Sequence, residues 1–170
     1  MRLYSGKVPP IASEVVRTLV AANDIEAASP KDVTGDVESV LNNYLVIERD
    51  VNERTKDILE RTGQKQSEFN RVRQLVATEK GIKIGDETLD YLLDQVVEIF
   101  HHSANVDEIF AEDVELRRKM APIFKKHMQV DAALDGEIRA QMRHLVEGTR
   151  DWDIEYSRVA EVVKRKKGLS

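Results

Sequence analysis

The chain has no cysteine among its 170 residues. That absence removes disulfides, thiolate nucleophiles and every zinc or iron–sulfur site built on cysteine ligands. Aromatic residues are 5% of the chain, with Trp152 the single tryptophan, and there are only 8 glycines and 4 prolines. A sandwich or barrel needs more turn residues and more aromatic packing than this. No run approaches the roughly 18 apolar residues that span a bilayer. The opening Met1-Arg2-Leu3-Tyr4-Ser5-Gly6-Lys7 lacks the apolar core of a signal peptide. The expected setting is cytosolic, without a membrane span. No glycine-rich phosphate loop occurs either, the glycines standing singly where helices should stop, so no cofactor is expected.

What is present points to helices. Hydrophobic residues make up 41% and charged residues 34%, with Leu, Val, Glu, Lys and Arg prominent. The net charge of -5 argues against the whole surface being a nucleic-acid footprint and leaves room for a local basic patch.

Pro9 and Pro10 suit a first helical turn, where a missing N–H costs little. Ile11, Val15, Val16, Leu19 and Val20 then recur at helical spacing until Asn23-Asp24. Ser29-Pro30-Lys31-Asp32 reads as the start of a long second helix, with Ser29 as cap and Asp32 near the positive end of the dipole. Along it Val37, Tyr44, Val51 and Ile58 lie seven apart, with Val40 and Ile47 as companion row. Such a stripe packs lengthwise on another helix, here within one bundle, the alternative being an intermolecular coiled coil. Gly63 should end this helix and Gly81 a third, which carries Phe69, Val72 and Val76. Asp86 is expected to cap a helix burying Leu89, Leu92, Leu93, Val96, Val97 and Phe100. A long segment follows from about Glu112 to Glu147, which Pro122 is expected to break or kink. A last helix from about Arg150 places Trp152, Tyr156, Val159 and Val163 on one face. No segment shows the alternation of a half-buried strand.

The chain also matches itself. At an offset of 81, residues 11–33 fall on 92–114, with Val15-Val16 on Val96-Val97 and Leu19 on Phe100. At an offset of 87, residues 58–82 fall on 145–169, with Glu60, Thr62, Glu68, Arg71, Val72, Lys80 and Gly81 on identical residues and Phe69 on Tyr156. The offsets differ by 6 residues, an insertion expected between Pro122 and Gly136. Shared apolar spacing comes free between amphipathic helices, but shared glycines and caps do not. The reading is an all-α bundle of about six helices, a tandem duplication of a short, long and medium helix, with units 1–83 and 84–170.

The start Met-Arg-Leu, the acidic long helix and the run Glu147-Gly-Thr-Arg-Asp-Trp-Asp-Ile-Glu-Tyr156 resemble the bacterial family called domain of unknown function 507. Members typically run to about one such unit, opening Met-Arg-Leu and closing on a Gly-Ser/Thr-Arg-Glu-Trp-Asp signature and a basic end. Here the signature is intact only in the second unit, Lys65 standing where Trp152 stands and Gln64 and Gln66 replacing Asp151 and Asp153. The resemblance implies a helical fold and a bacterial cytosolic setting, and carries over no catalytic residues.

Few constellations carry chemistry. Glu98-Ile-Phe-His101 has the spacing of two metal ligands on one helical face, but bundle di-metal sites use two such motifs and this chain has one. Glu98 and His101 are thus weak metal candidates, with no metal expected. Asp151 and Asp153 sit two apart and point to different faces, and a catalytic role is not favoured. Trp152, Tyr156 and Arg158, with the basic run Lys164, Arg165, Lys166 and Lys167, are the partner-binding candidates. The basic run reads first as cations complementing a helix C-terminus and second as a grip on phosphates. The favoured function is a non-catalytic cytosolic interaction or structural protein with a protein partner, including a possible homodimer. The alternative is a nucleic-acid-associated protein using the basic C-terminus, and a metal-binding helical protein or enzyme stands third.

Overall fold

A computed structural model describes residues 2–146 and 150–166, apart from the side chains of residues 130–132 and 153. Among them are six α-helices: α1 (Val8–Ala21), α2 (Pro30–Thr62), α3 (Phe69–Lys80), α4 (Thr88–His102), α5 (Asp113–Ala140) and α6 (Arg150–Lys166). The boundaries follow local chemistry. Pro9 and Pro10 open α1 and Pro30 opens α2, with Ser29 at the cap position, although its hydroxyl makes no capping bond. Gly63 (φ 68) and Gly81 (φ 76) take the left-handed conformation that ends α2 and α3. The fold class read from the sequence, an all-α bundle, is the fold observed.

Four details differ from expectation. A two-residue strand, β1 (Ile25–Glu26), pairs antiparallel with β2 (Glu108–Ile109), too short to leave any alternation in the sequence. Asp86 lies inside a 3-10 turn, and α4 starts after it at Thr88. Helix α5 runs unbroken through Pro122 and stops at Ala140, short of Glu147. Pro122 is exposed, so the carbonyl it orphans reaches water, while Leu116, Met120, Ile123, Phe124 and Met128 hold both flanking turns in the core. On α2 the buried line is Val33, Val37, Leu41, Tyr44, Glu48, Val51, Thr55 and Leu59, with Val40, Ile47 and Ile58 half-buried. Val37, Leu41, Tyr44, Glu48, Val51 and Thr55 form the heptad seam, with Leu41, Glu48 and Thr55 as its companion row in place of Val40 and Ile47. The Gly148 stop, the Thr149 restart and the closing Lys167-Gly168 lie outside the described residues.

The apolar residues form two clusters. The larger joins Leu3 and helices α1 to α4 to the first half of α5, as far as Met128. The smaller joins Leu134, Ile138 and Met142 to Val159 and Val163 of α6, with Trp152 and Tyr156 at its edge. At about 1.5–3 kcal/mol per buried aliphatic or Phe side chain, the larger cluster dominates stability.

The order of elements recurs. Residues 5–80 run 3-10 turn, α1, β1, α2, 3-10 turn, α3, and residues 85–166 run 3-10 turn, α4, β2, α5, α6. Packing crosses between these halves, α1 lying on α5 and α2 on α4. Each loop after a short helix is tied to the opposite long helix. Asp24 accepts from Lys119 Nζ at 2.8 Å, and Asn105 Nδ2 donates to Asp36 Oδ2 at 3.0 Å. Asp24 and Asn105 are 81 apart, Asp36 and Lys119 are 83 apart. The α4–α5 connection has ten residues against eight between α1 and α2.

Candidate functional site

Three of the sequence candidates, Trp152, Tyr156 and Lys164, lie at the end of the molecule where α6 packs on the second half of α5. Val159 and Val163 are buried there, at i and i+4. That register turns Trp152 and Tyr156, two turns and one turn earlier, toward α5 and leaves both half-buried. Their rings stack with centroids 5.0 Å apart at 28°. The guanidinium of Arg139 lies over the Trp152 ring, 5.1 Å from its centre. Phe69, the counterpart of Tyr156, is likewise half-buried against its own core cluster.

Asp135 is the hub of this end. Its carboxylate accepts from Arg139 Nε at 2.8 Å and from Tyr156 Oη at 2.5 Å. Burial, and then the bond to Asp135, push the Tyr156 phenol well above the ordinary tyrosine range, so it acts as a donor and not as a base. Tyr4 lies in the same wall. Its pKa is pushed up to about 12, mainly by burial and then by the Asp135 charge, its hydroxyl lying close to both Asp135 and Tyr156. Arg2 lies over the Tyr4 ring, 5.4 Å from its centre. The N-terminal segment thus bridges both clusters, Leu3 buried in the larger and Tyr4 facing the smaller one.

Between this segment, α5 and α6 lies a cavity of about 290 Å³. Its walls are residues 4–7, Leu134, Asp135 and Ile138 of α5, and Tyr156, Ala160 and Lys164 of α6.

The remaining candidates stand apart from it. Arg158 is exposed and pairs with Glu155 on its own helix, away from Trp152. Arg165 and Lys166 are exposed in the last turn of α6, beside Lys164, and Lys167 lies outside the described residues. Glu98 and His101 do not meet. His101 Nε2 faces Asp113 Oδ1 at 2.7 Å, and Glu98 is paired with His102 at 3.5 Å. Among the described residues no three His, Asp or Glu side chains gather as a metal cage would require.

The sequence reading passed over Tyr4, Asp135 and Arg139. The i, i+4 spacing of Asp135 and Arg139 was a legible signal of a helical pair. Tyr4 carried none, since only the folded chain brings residue 4 to residue 156.

The chain belongs to the family described as Protein of unknown function (DUF507), which matches residues 1–169. The match crosses both proposed units as one stretch. No curated protein matches the chain.

Proposed function

From membership of a family that assigns no chemistry, we propose that this is a non-catalytic interaction or structural protein of the bacterial cytosol, working through the outer face of α6. One observation carries the reading. With Val159 and Val163 buried, α6 still exposes Ile154 at 59% and Val162 at 37%, on either side of Arg158 and two turns apart. A surface helix that buries one apolar face seldom carries a second without a use for it. The occupant proposed first is a second copy of the chain. Charge supports this, because residues 1–112 carry thirteen Lys and Arg against twenty-one Asp and Glu, and residues 113–170 thirteen against ten. An acidic body and a basic end attract one another across two copies.

Sedimentation equilibrium tests it. The expected result is a mass rising with concentration and returning to monomer in Ile154→Glu/Val162→Glu, with helix content unchanged. A monomer at about 100 µM, where a micromolar complex would be filled, overturns self-association.

The same charge split favours one second reading, a nucleic-acid-associated protein gripping phosphates through Lys164, Arg165 and Lys166, all exposed. Salt-sensitive binding to generic RNA or DNA, lost on removing residues 164–170, supports it, and no binding at low salt sinks it.

The chain is further proposed to be a duplication of units 1–83 and 84–170. Its support is the recurring element order and a shared burial pattern. Leu3, Ile11, Val15 and Leu19 are buried, as are Ile84, Leu92, Val96 and Phe100 at 81 positions on.

A further inference from the structure

We propose that the cavity between the N-terminal segment, α5 and α6 binds a small organic anion, its head between Lys7 and Lys164 and its apolar body against Leu134, Ile138 and Ala160. The volume of about 290 Å³ is at the lower end of small-ligand pockets. It corresponds to about ten waters, enough for one ring or a short chain with a single head group.

The sign of the ligand follows from what is and is not paired. Lys7 and Lys164 make no hydrogen bond or ion pair among the described residues, although both line the cavity. Two cationic side chains from sequence-distant elements thus border the cavity without a carboxylate partner of their own. The acid in the wall, Asp135, does not neutralise them, because its two oxygens are bonded to Tyr156 and Arg139.

Ala160 puts only a methyl group in the wall, where the position 87 earlier holds Arg73, whose side chain reaches Asn52 Oδ1 at 2.6 Å.

The test is titration calorimetry on the full chain with phenyl phosphate, benzoate, benzyl alcohol and inorganic phosphate as probes. Binding of phenyl phosphate or benzoate is expected, with the neutral alcohol and the bare phosphate at least about tenfold weaker. Which anion binds distinguishes a phosphate head from a carboxylate head. Lys7→Gln and Lys164→Gln should each weaken binding about tenfold, without changing the melting temperature. Ala160→Leu should abolish it by filling the cavity. No binding of either aromatic anion up to about 10 mM overturns the proposal. So does binding that survives both lysine substitutions, or inorganic phosphate binding as tightly as the aromatic anions.

Discussion

Tyr156→Phe isolates the bond that fastens α6 to α5. The ring, its stack on Trp152 and its half-buried position are kept, and only the hydroxyl that donates to Asp135 Oδ1 at 2.5 Å is lost. The Asp135 side chain is 16% exposed, so the carboxylate is only partly compensated by water. A hydrogen bond to a charged group contributes about 1.5–3 kcal/mol. Because Arg139 still holds the other oxygen at 2.8 Å, the lower part of that range applies, about 1.5 kcal/mol. For a chain of this size that is a fall in melting temperature of roughly 3–6 °C. Urea unfolding followed by Trp152 fluorescence and by far-ultraviolet circular dichroism reads the change with two probes. The companion variants are Asp135→Ala and the double variant. If the bond is as described, removing the hydroxyl costs little once the carboxylate is gone, giving a coupling of about 1 kcal/mol or more. A coupling under about 0.3 kcal/mol would refute the reasoning, since the hydroxyl would then be equally well served by water.

The second prediction is that Pro122→Ala stabilises the protein by about 1–3 kcal/mol in urea unfolding, since alanine restores a backbone bond in the interior of α5. An unchanged or lowered midpoint would mean that the proline is needed to shape the helix. The third concerns Glu14, which joins α1 to α5 through Lys126 Nζ at 2.5 Å and His127 Nε2 at 2.8 Å. Those bonds, the one from Lys126 first, hold its carboxyl below the ordinary value of 4.5. Its contribution is therefore fully present above pH 4.5 and is lost as pH falls through the lower folded-state value. Stability measured between pH 6 and pH 3 should drop less in Glu14→Gln than in the parent, and parallel curves would contradict the assignment. The fourth is that Arg73→Ala costs about 2–4 kcal/mol, because it strips the 3.6 Å partner from Glu48, whose side chain is 9% exposed. Arg73→Ala combined with Glu48→Met should recover most of that loss in the same assay, and a double variant no more stable than Arg73→Ala alone argues against it.

The fold was legible wherever a helix announced itself by an end. Gly63, Gly81 and Pro30 fix backbone geometry by their own covalent structure, so their places could be read without neighbours. Pro122 obeys the same covalent rule, yet α5 continues through it, because packing on both sides outweighs one missing bond on an exposed face. The heptad row on α2 misplaced its companion line for a related reason. Periodicity weighs apolar residues only, whereas Glu48 and Thr55 are buried on the same line. Glu48 is there because Arg73 meets it, and Thr55 because its hydroxyl bonds Val51 O at 2.7 Å. The candidate site was half legible. Trp152, Tyr156 and Lys164 stand out by type and spacing, while Tyr4 joins them only through a closure of about 150 residues that no local pattern encodes.

The two ends of the molecule solve one physical problem in two ways, which explains why the tryptophan occurs once. Each long helix turns an acid toward its third helix, Glu48 on α2 and Asp135 on α5, and these are 87 apart. In the first half the compensating base comes from the third helix, Arg73, which also bonds Asn52. In the second half the positions 87 later hold Ala160 and Arg139, and the base stands on the long helix beside its own acid. An arginine in that place presents a flat face to be covered. Trp152 covers it, and Tyr156 takes over the bond across the interface that Arg73 makes in the first half. The Trp-containing run is thus tied to a base on α5. The small residue Ala160 lines the cavity on which the anion proposal rests.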